Sequence, residues 1–114
     1  MPEKELSYSI DNGAKESTLI LRLSGPFTLS NMFQLQDEMR TLKPVCLIMD
    51  LTAVPYMDSA AMGVIMNYYV SSQSDGHTFL LAGVNDRVRA LLEMTKVHNV
   101  LKIYPTVEAA EDAA

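Results

Sequence analysis

Residues 45–63 read Val-Cys-Leu-Ile-Met-Asp-Leu-Thr-Ala-Val-Pro-Tyr-Met-Asp-Ser-Ala-Ala-Met-Gly. Val45–Leu51 is almost continuously apolar, the pattern of a strand covered on both faces. Pro55 stops that strand, because proline has no N–H to give to a ladder. Asp58 and Ser59 then stand where a helix begins. A hydroxyl at a helix start can cap the free N–H groups. It can also carry a phosphate, since the amino-terminal end of a helix favours an added anion. Both readings of Ser59, structural cap and regulatory phosphosite, stay open at this point.

Working outward, Leu6–Ile10 alternates like an edge or half-buried strand, and Asn12-Gly13 is a hairpin signal. Thr18–Ser24 alternates again and is predicted to pair with it antiparallel, ending at Gly25-Pro26. Ser30 is the predicted cap of a helix with Met32, Leu35, Met39 and Leu42 at helical spacing, closed by Lys43-Pro44. After the strand Val45–Leu51 comes a helix from about Ser59 to Ser72, then a turn at Asp75-Gly76. Thr78–Val84 is a further apolar strand. Asn85 caps a helix bearing Val88, Leu91, Leu92 and Thr95 on one face. Leu101–Ile103 is a short strand, and Pro105-Thr106 opens a last helix. The predicted order is β-β-α-β-α-β-α-β-α, an α/β fold with a mixed β-sheet and amphipathic helices. Alternating strands and helices imply parallel strands and right-handed crossovers.

The helix after Ser59 lacks an ordinary polar side. At about 100° per residue, Ala61, Val64, Ile65, Tyr68 and Ser72 make a core stripe. Ser59, Gly63, Met66, Asn67 and Val70 fall opposite, with Met62 at the margin. A helix apolar all round is covered twice or offers a patch to a partner. Methionine suits adaptable contacts, and Met57, Met62 and Met66 surround Ser59. Deep packing, a homodimer contact and a partner-docking face are the three occupants this reading allows.

At 114 residues, one domain spanning 1–114 is expected. Hydrophobic residues make up 48%, enough for a core and too many for disorder. Asp50, Pro55 and Asp58 interrupt the apolar runs, so no segment reads as a membrane span. The opening Met1-Pro2-Glu3-Lys4-Glu5 lacks the basic and apolar regions of a signal peptide, and a cytoplasmic protein is expected. The lone Cys46 has no internal disulfide partner and reads as a buried small hydrophobe. A net charge of −5 with no basic stripe argues against nucleic-acid binding.

Catalytic readings find little support. Gly-x-Ser-x-Gly is absent around Ser59. His77 and His98 are isolated, so a base for a serine nucleophile is not indicated. Cys46 and the histidines lack metal-ligand spacing, and no glycine-rich phosphate loop points to a cofactor. The first two strands end in Ile10 and Ser24, without the acidic cluster a receiver domain needs.

Asp50-Leu51, Tyr56-Met57-Asp58-Ser59, Met62-Gly63-Val64-Ile65, the Gly76 turn, Leu80–Val84 and Val88–Thr95 together resemble the STAS domain. The likeness is to the small single-domain anti-sigma factor antagonists of bacteria, and it covers nearly the whole chain. It implies a protein switch, not an enzyme. Such an antagonist binds an anti-sigma factor, often also a serine-protein kinase, which phosphorylates the serine matching Ser59 and so dismisses it. A serine phosphatase reverses the modification. The partner-binding residues so implied are Asp58 and Ser59, with Thr28, Met62, Gly63 and Met66 beside them. The chain departs from the family where Ala60-Ala61 replace Ser or Thr followed by Gly, and where Thr28 replaces an aspartate. A ligand-sensing or scaffold module without a phosphoswitch is the alternative reading.

Overall fold

A computed structural model describes residues 5–114. The reading of Met1–Lys4 as lacking a signal segment lies outside the described residues. The predicted order holds: β1 (Ser7–Asn12), β2 (Thr18–Ser24), α1 (Phe33–Thr41), β3 (Cys46–Ala53), α2 (Ser59–Ser74), β4 (Thr78–Ala82), α3 (Asp86–Met94), β5 (Lys102–Tyr104) and α4 (Val107–Ala113). A single 3-10 turn, Val97–Asn99, sits between α3 and β5.

The five strands lie side by side in chain order. β1 is antiparallel to β2, and the other three pairings are parallel. When strands advance in one direction through right-handed crossovers, the connecting helices fall on the same face. The core divides accordingly. Leu21, Leu23, Leu47, Met49, Leu51, Phe79 and Leu81 point towards Leu35 and Met39 of α1, Ile65 of α2, and Val88 and Leu92 of α3. The alternate residues Ile20, Cys46, Ile48, Leu80 and Ala82 meet Val107 and Ala110 of α4. The uninterrupted apolar run of β3 is thus explained by cover on both faces. Burial pushes the Cys46 thiol upward in pKa, as a small hydrophobe in the sheet requires.

α4 covers the middle of its face and leaves the β1–β2 side polar. There Arg22 bridges Asp11 on β1 and Asp50 on β3, each at 2.9 Å. Thr52 gives both its N–H and its hydroxyl to the other oxygen of the buried Asp50. Hydrogen bonding to these acids raises the Arg22 pKa, so the ladder keeps its charge. At the far end of the sheet, the Ala14 N–H donates to Glu111 of α4, and the Lys15 ammonium donates to the Ala114 carbonyl. The carboxyl-terminal helix is therefore tied to the β1–β2 loop.

Several local expectations shift. β1 continues through Asn12, and the hairpin closes by Gly13 N–H donating to the Thr18 carbonyl, with Ser17 in the left-handed region (φ 60°). The turn is therefore a longer loop, not an Asn-Gly pair. α1 starts at Phe33 without a side-chain cap, and Ser30 belongs to the preceding turn, 3.0 Å from the Thr28 hydroxyl. β4 ends at Ala82, where Gly83 takes φ +75°. Asn85 and Thr106 do cap α3 and α4, accepting from the N–H groups of Val88 and Ala109.

On α2 the core stripe is as predicted for Ala61, Val64, Ile65 and Ser72, but it is wider. Met62 is only 4% exposed and packs in the main core, so its placement at the rim of the outer face is corrected. Met66 is half-buried, and Gly63, Asn67 and Val70 are exposed. Two substitutions should separate these positions. Met62→Glu is expected to lower unfolding free energy by about 3 kcal/mol or more, a buried charge without a partner. Met66→Glu is expected to keep a cooperative melt close to that of the parent. Circular-dichroism melting of both variants checks the assignment.

Candidate functional site

Three loops meet beyond the carboxyl ends of the parallel strands: residues 25–32 after β2, 54–58 after β3, and 83–85 after β4. The first two run together as an extra parallel bridge between Phe27 and Met57. The Phe27 N–H donates to the Tyr56 carbonyl (3.1 Å), and the Asp58 N–H donates to the Phe27 carbonyl (3.3 Å). Phe27 itself is fully buried and anchors this bridge in the core. From the other side, the Asn85 amide donates to the carbonyls of Val54 and Pro55. The segment leading to Ser59 is therefore held on two flanks before the helix begins.

The capping question resolves in favour of Asp58. Its backbone is extended, and one carboxylate oxygen accepts from the Ala61 N–H at 3.0 Å. That is the bond an N-cap side chain makes to an otherwise unpaired helix donor. The other oxygen accepts from the Leu29 N–H at 2.9 Å, so the same carboxylate ties the first loop to α2. Ser59 is the first residue of the helix proper and is exposed, and no hydrogen bond among the described residues engages its hydroxyl. Of the two open readings of Ser59, the structural cap falls instead to Asp58, because the residue before Ser59 has the extended geometry that the cap demands.

The remaining expected residues divide by accessibility. Gly63 follows Ser59 by one turn on the same side of α2, and Met66 and Val70 continue that line. A Cβ built on Gly63 meets nothing within 4 Å, so nothing inside the chain requires a glycine there. Thr28 lies in the adjoining loop but is only 7% exposed. Its N–H donates to the Asn31 side chain, and its carbonyl accepts from the Asn31 N–H. Thr28 therefore shapes the loop from inside. Met62 is likewise in the core beneath the site.

Sequence reasoning missed the loop's own apolar surface. Leu29 is 54% exposed and Phe33, at the head of α1, is 58% exposed. Both are large and non-polar, and Leu29 is bound directly to Asp58. The Thr28–Asn31 turn lifts Leu29 outward, which a helical reading from Ser30 obscured. Arg87, on α3, adds a further contact. It lies over the Tyr56 ring with its guanidinium carbon 5.0 Å from the centroid, a cation–π contact at the base of the Ser59 segment. His77 and His98 stand elsewhere. His77 precedes β4, and His98 lies in the 3-10 turn with Nδ1 3.3 Å from the Leu92 carbonyl. Among the described residues no cluster of His, Cys, Asp or Glu suits a metal, and no helix is long and apolar enough to cross a membrane.

Comparison with known proteins agrees with this fold. The STAS domain family pattern matches residues 9–110. A candidate anti-sigma factor antagonist of Thermotoga neapolitana is 36% identical over 64 residues, 56% of this chain and 57% of that protein. The chain thus spans a little over half the length of that relative. An anti-sigma F factor antagonist of Paenibacillus polymyxa is 27% identical over 103 residues, covering 87% of this chain and 88% of that one. Among solved structures, an anti-sigma factor antagonist of Mycobacterium paratuberculosis superimposes with a TM-score of 0.86 at 17% identity, covering 96% and 93% of the two chains. The Bacillus cell fate determinant SpoIIAA in its phosphorylated form gives a TM-score of 0.74 at 15% identity, covering 94% and 98%.

Loss of the Asp58 carboxylate removes both a cap and a loop tether. Asp58→Ala is expected to cost about 1–3 kcal/mol of stability, whereas Ser59→Ala should stay within about 0.5 kcal/mol. Urea unfolding of the two variants compares them directly. Equal losses would return the cap to Ser59.

Proposed function

The chain belongs to the STAS domain family, and we propose that within it this protein acts as an anti-sigma factor antagonist. In this reading it is a protein-binding switch that sequesters an anti-sigma factor and is released by phosphorylation of Ser59. The observation that carries the reading is the division of labour at the start of α2. Asp58 takes the capping bonds. The Ser59 hydroxyl is left exposed at the first helical position, with no structural task inside the chain. The names of the relatives support the general role, and a neighbour of the same fold has been solved in a phosphorylated form.

The chemistry follows from the surroundings. A phosphate on Ser59 adds about −1.5 to −2 charges at neutral pH. The helix amino terminus accommodates that charge locally, and the Asp58 carboxylate is already occupied by two N–H donors. The domain therefore tolerates the group. Docking does not: Leu29, Phe33 and the Gly63–Met66–Val70 line would carry a partner's apolar surface over Ser59. Burying a strongly hydrated dianion there carries a large desolvation cost. Ser59 is the substrate of a partner kinase in this scheme, and this chain supplies no catalytic group.

Gly63 supports the docking face independently. A glycine inside a helix costs about 1 kcal/mol relative to alanine. Here no neighbour within the chain needs the missing side chain. Close approach of a partner backbone accounts for it. Thr28 and Met62 support this surface from beneath, and Met66 contributes its exposed half.

Two measurements test the reading. With the anti-sigma factor encoded by the same organism, isothermal titration should show Ser59→Asp binding at least about tenfold more weakly than the parent, with Ser59→Ala unchanged. Equal affinities for the two variants would sink the switch and leave a scaffold or ligand-sensing module in its place. Gly63→Ala is expected to raise stability by about 0.5–1 kcal/mol while weakening the complex. Stabilisation with undiminished affinity would remove Gly63 from the interface.

A further inference from the structure

A cavity of about 240 Å³ opens between α1 and the carboxyl-terminal half of α2. By the helical rise its α2 residues, from Val64 to Ser72, lie roughly 8–20 Å along the axis from Ser59, so it opens beside the Gly63–Met66–Val70 line and does not include Ser59. Its floor is apolar, formed by Met39, Leu42 and Val64. Tyr68 makes a fixed wall. Its hydroxyl donates to the Leu42 carbonyl at 2.9 Å, and its ring packs edge-on against Phe79 at 4.8 Å. Burial pushes the Tyr68 phenol up to about 12, so the wall stays neutral.

The rim has the opposite charge balance to the chain. The whole protein carries −5. Here Arg40 and Lys43 line the cavity with a single acid, Asp75. Arg40 also reaches Asp37 at 3.5 Å, but both side chains are more than two-thirds exposed, and so loose a surface pair gives way readily.

Ser72 adds a second, independent observation. It lines the same cavity and is 6% exposed. Its hydroxyl is the only buried side-chain polar atom among the described residues left without a hydrogen-bond partner. A helical serine ordinarily satisfies itself on the carbonyl one turn earlier, and this one does not. An orphaned buried hydroxyl is unfavourable unless something completes it.

We propose that this cavity is a binding site for a small organic monoanion with a short apolar or aromatic body. The anionic head would pair with Arg40 and Lys43, the body would cover Met39, Leu42 and Val64, and Ser72 would gain the partner it lacks. Inorganic anions leave the apolar floor unused, and the small volume excludes a folded partner segment. The inference is independent of the role of Ser59.

Benzoate is a suitable probe. Titrated into the isotopically labelled full chain, it is expected to give saturable amide shifts at Arg40, Asn67, Ser72 and His77, with residues around Ser59 unmoved. The Arg40→Ala/Lys43→Ala double variant, altered only at exposed positions, should melt as the parent does and bind at least about tenfold more weakly. Ser72→Ala should melt at the same temperature or higher, yet bind about threefold more weakly. Non-saturating shifts, shifts unchanged in the double variant, or equal binding of inorganic phosphate would each overturn the proposal.

Discussion

The Asp58 carboxylate is the bond on which the candidate site depends. One oxygen holds the head of α2 and the other holds the loop after β2. These elements come from different crossovers, and the sheet alone does not bring their tips together. With Phe27 buried beneath and bridged to Met57, the carboxylate turns two adjacent loops into one surface. A charge-assisted bond between carboxylate and backbone amide is stronger than a neutral one, and two of them share a single side chain here. Ser59 is available because its neighbour is fully engaged.

The sheet explains how the loops beside Ser59 come to support one another. In open α/β sheets, ligand crevices form where the strand order reverses and adjacent loops diverge. This sheet advances in one direction from β1 to β5, so its parallel part has no reversal. The loops beyond β2, β3 and β4 lean on one another and bring the start of α2 to the surface. A helix tip presented in this way suits recognition by another protein better than enclosure of a substrate. The mixed-charge cavity between α1 and α2 arises differently, from the spreading of two helices that share one face of the sheet.

Much of this was legible in the residues. The unbroken apolar run of β3, the proline that stops it and the alternation of β2 led directly to the element order, because each pattern reflects which faces are covered. Asn85 was read correctly as a cap, and Pro105-Thr106 as the opening of the last helix. Asp58 was not read as the cap, because Asp and Ser are both good caps and only backbone geometry chooses between them. Met62 and Met66 could not be separated for a similar reason. A helix apolar on every side gives no contrast from which to locate the centre of its buried face. Leu29 and Phe33 were hidden because their exposure comes from a tight turn built on Asn31, and such a turn leaves no periodic trace. Ser72 was visible as part of the core stripe, but its missing partner is a property of packing alone.

The tie between α4 and the β1–β2 loop determines how the domain can be carried. That loop lies where β2 begins, whereas Ser59 lies beyond the point where β3 ends, so the two mark opposite poles of the sheet. Glu111 and Ala114 hold the end of α4 against Ala14 and Lys15, at the pole remote from Ser59. A support or reporter fixed beside the β1–β2 loop leaves the Ser59 pole facing outward. The fold thus has a built-in orientation, with the tied end of α4 at one pole and the exposed Ser59 at the other.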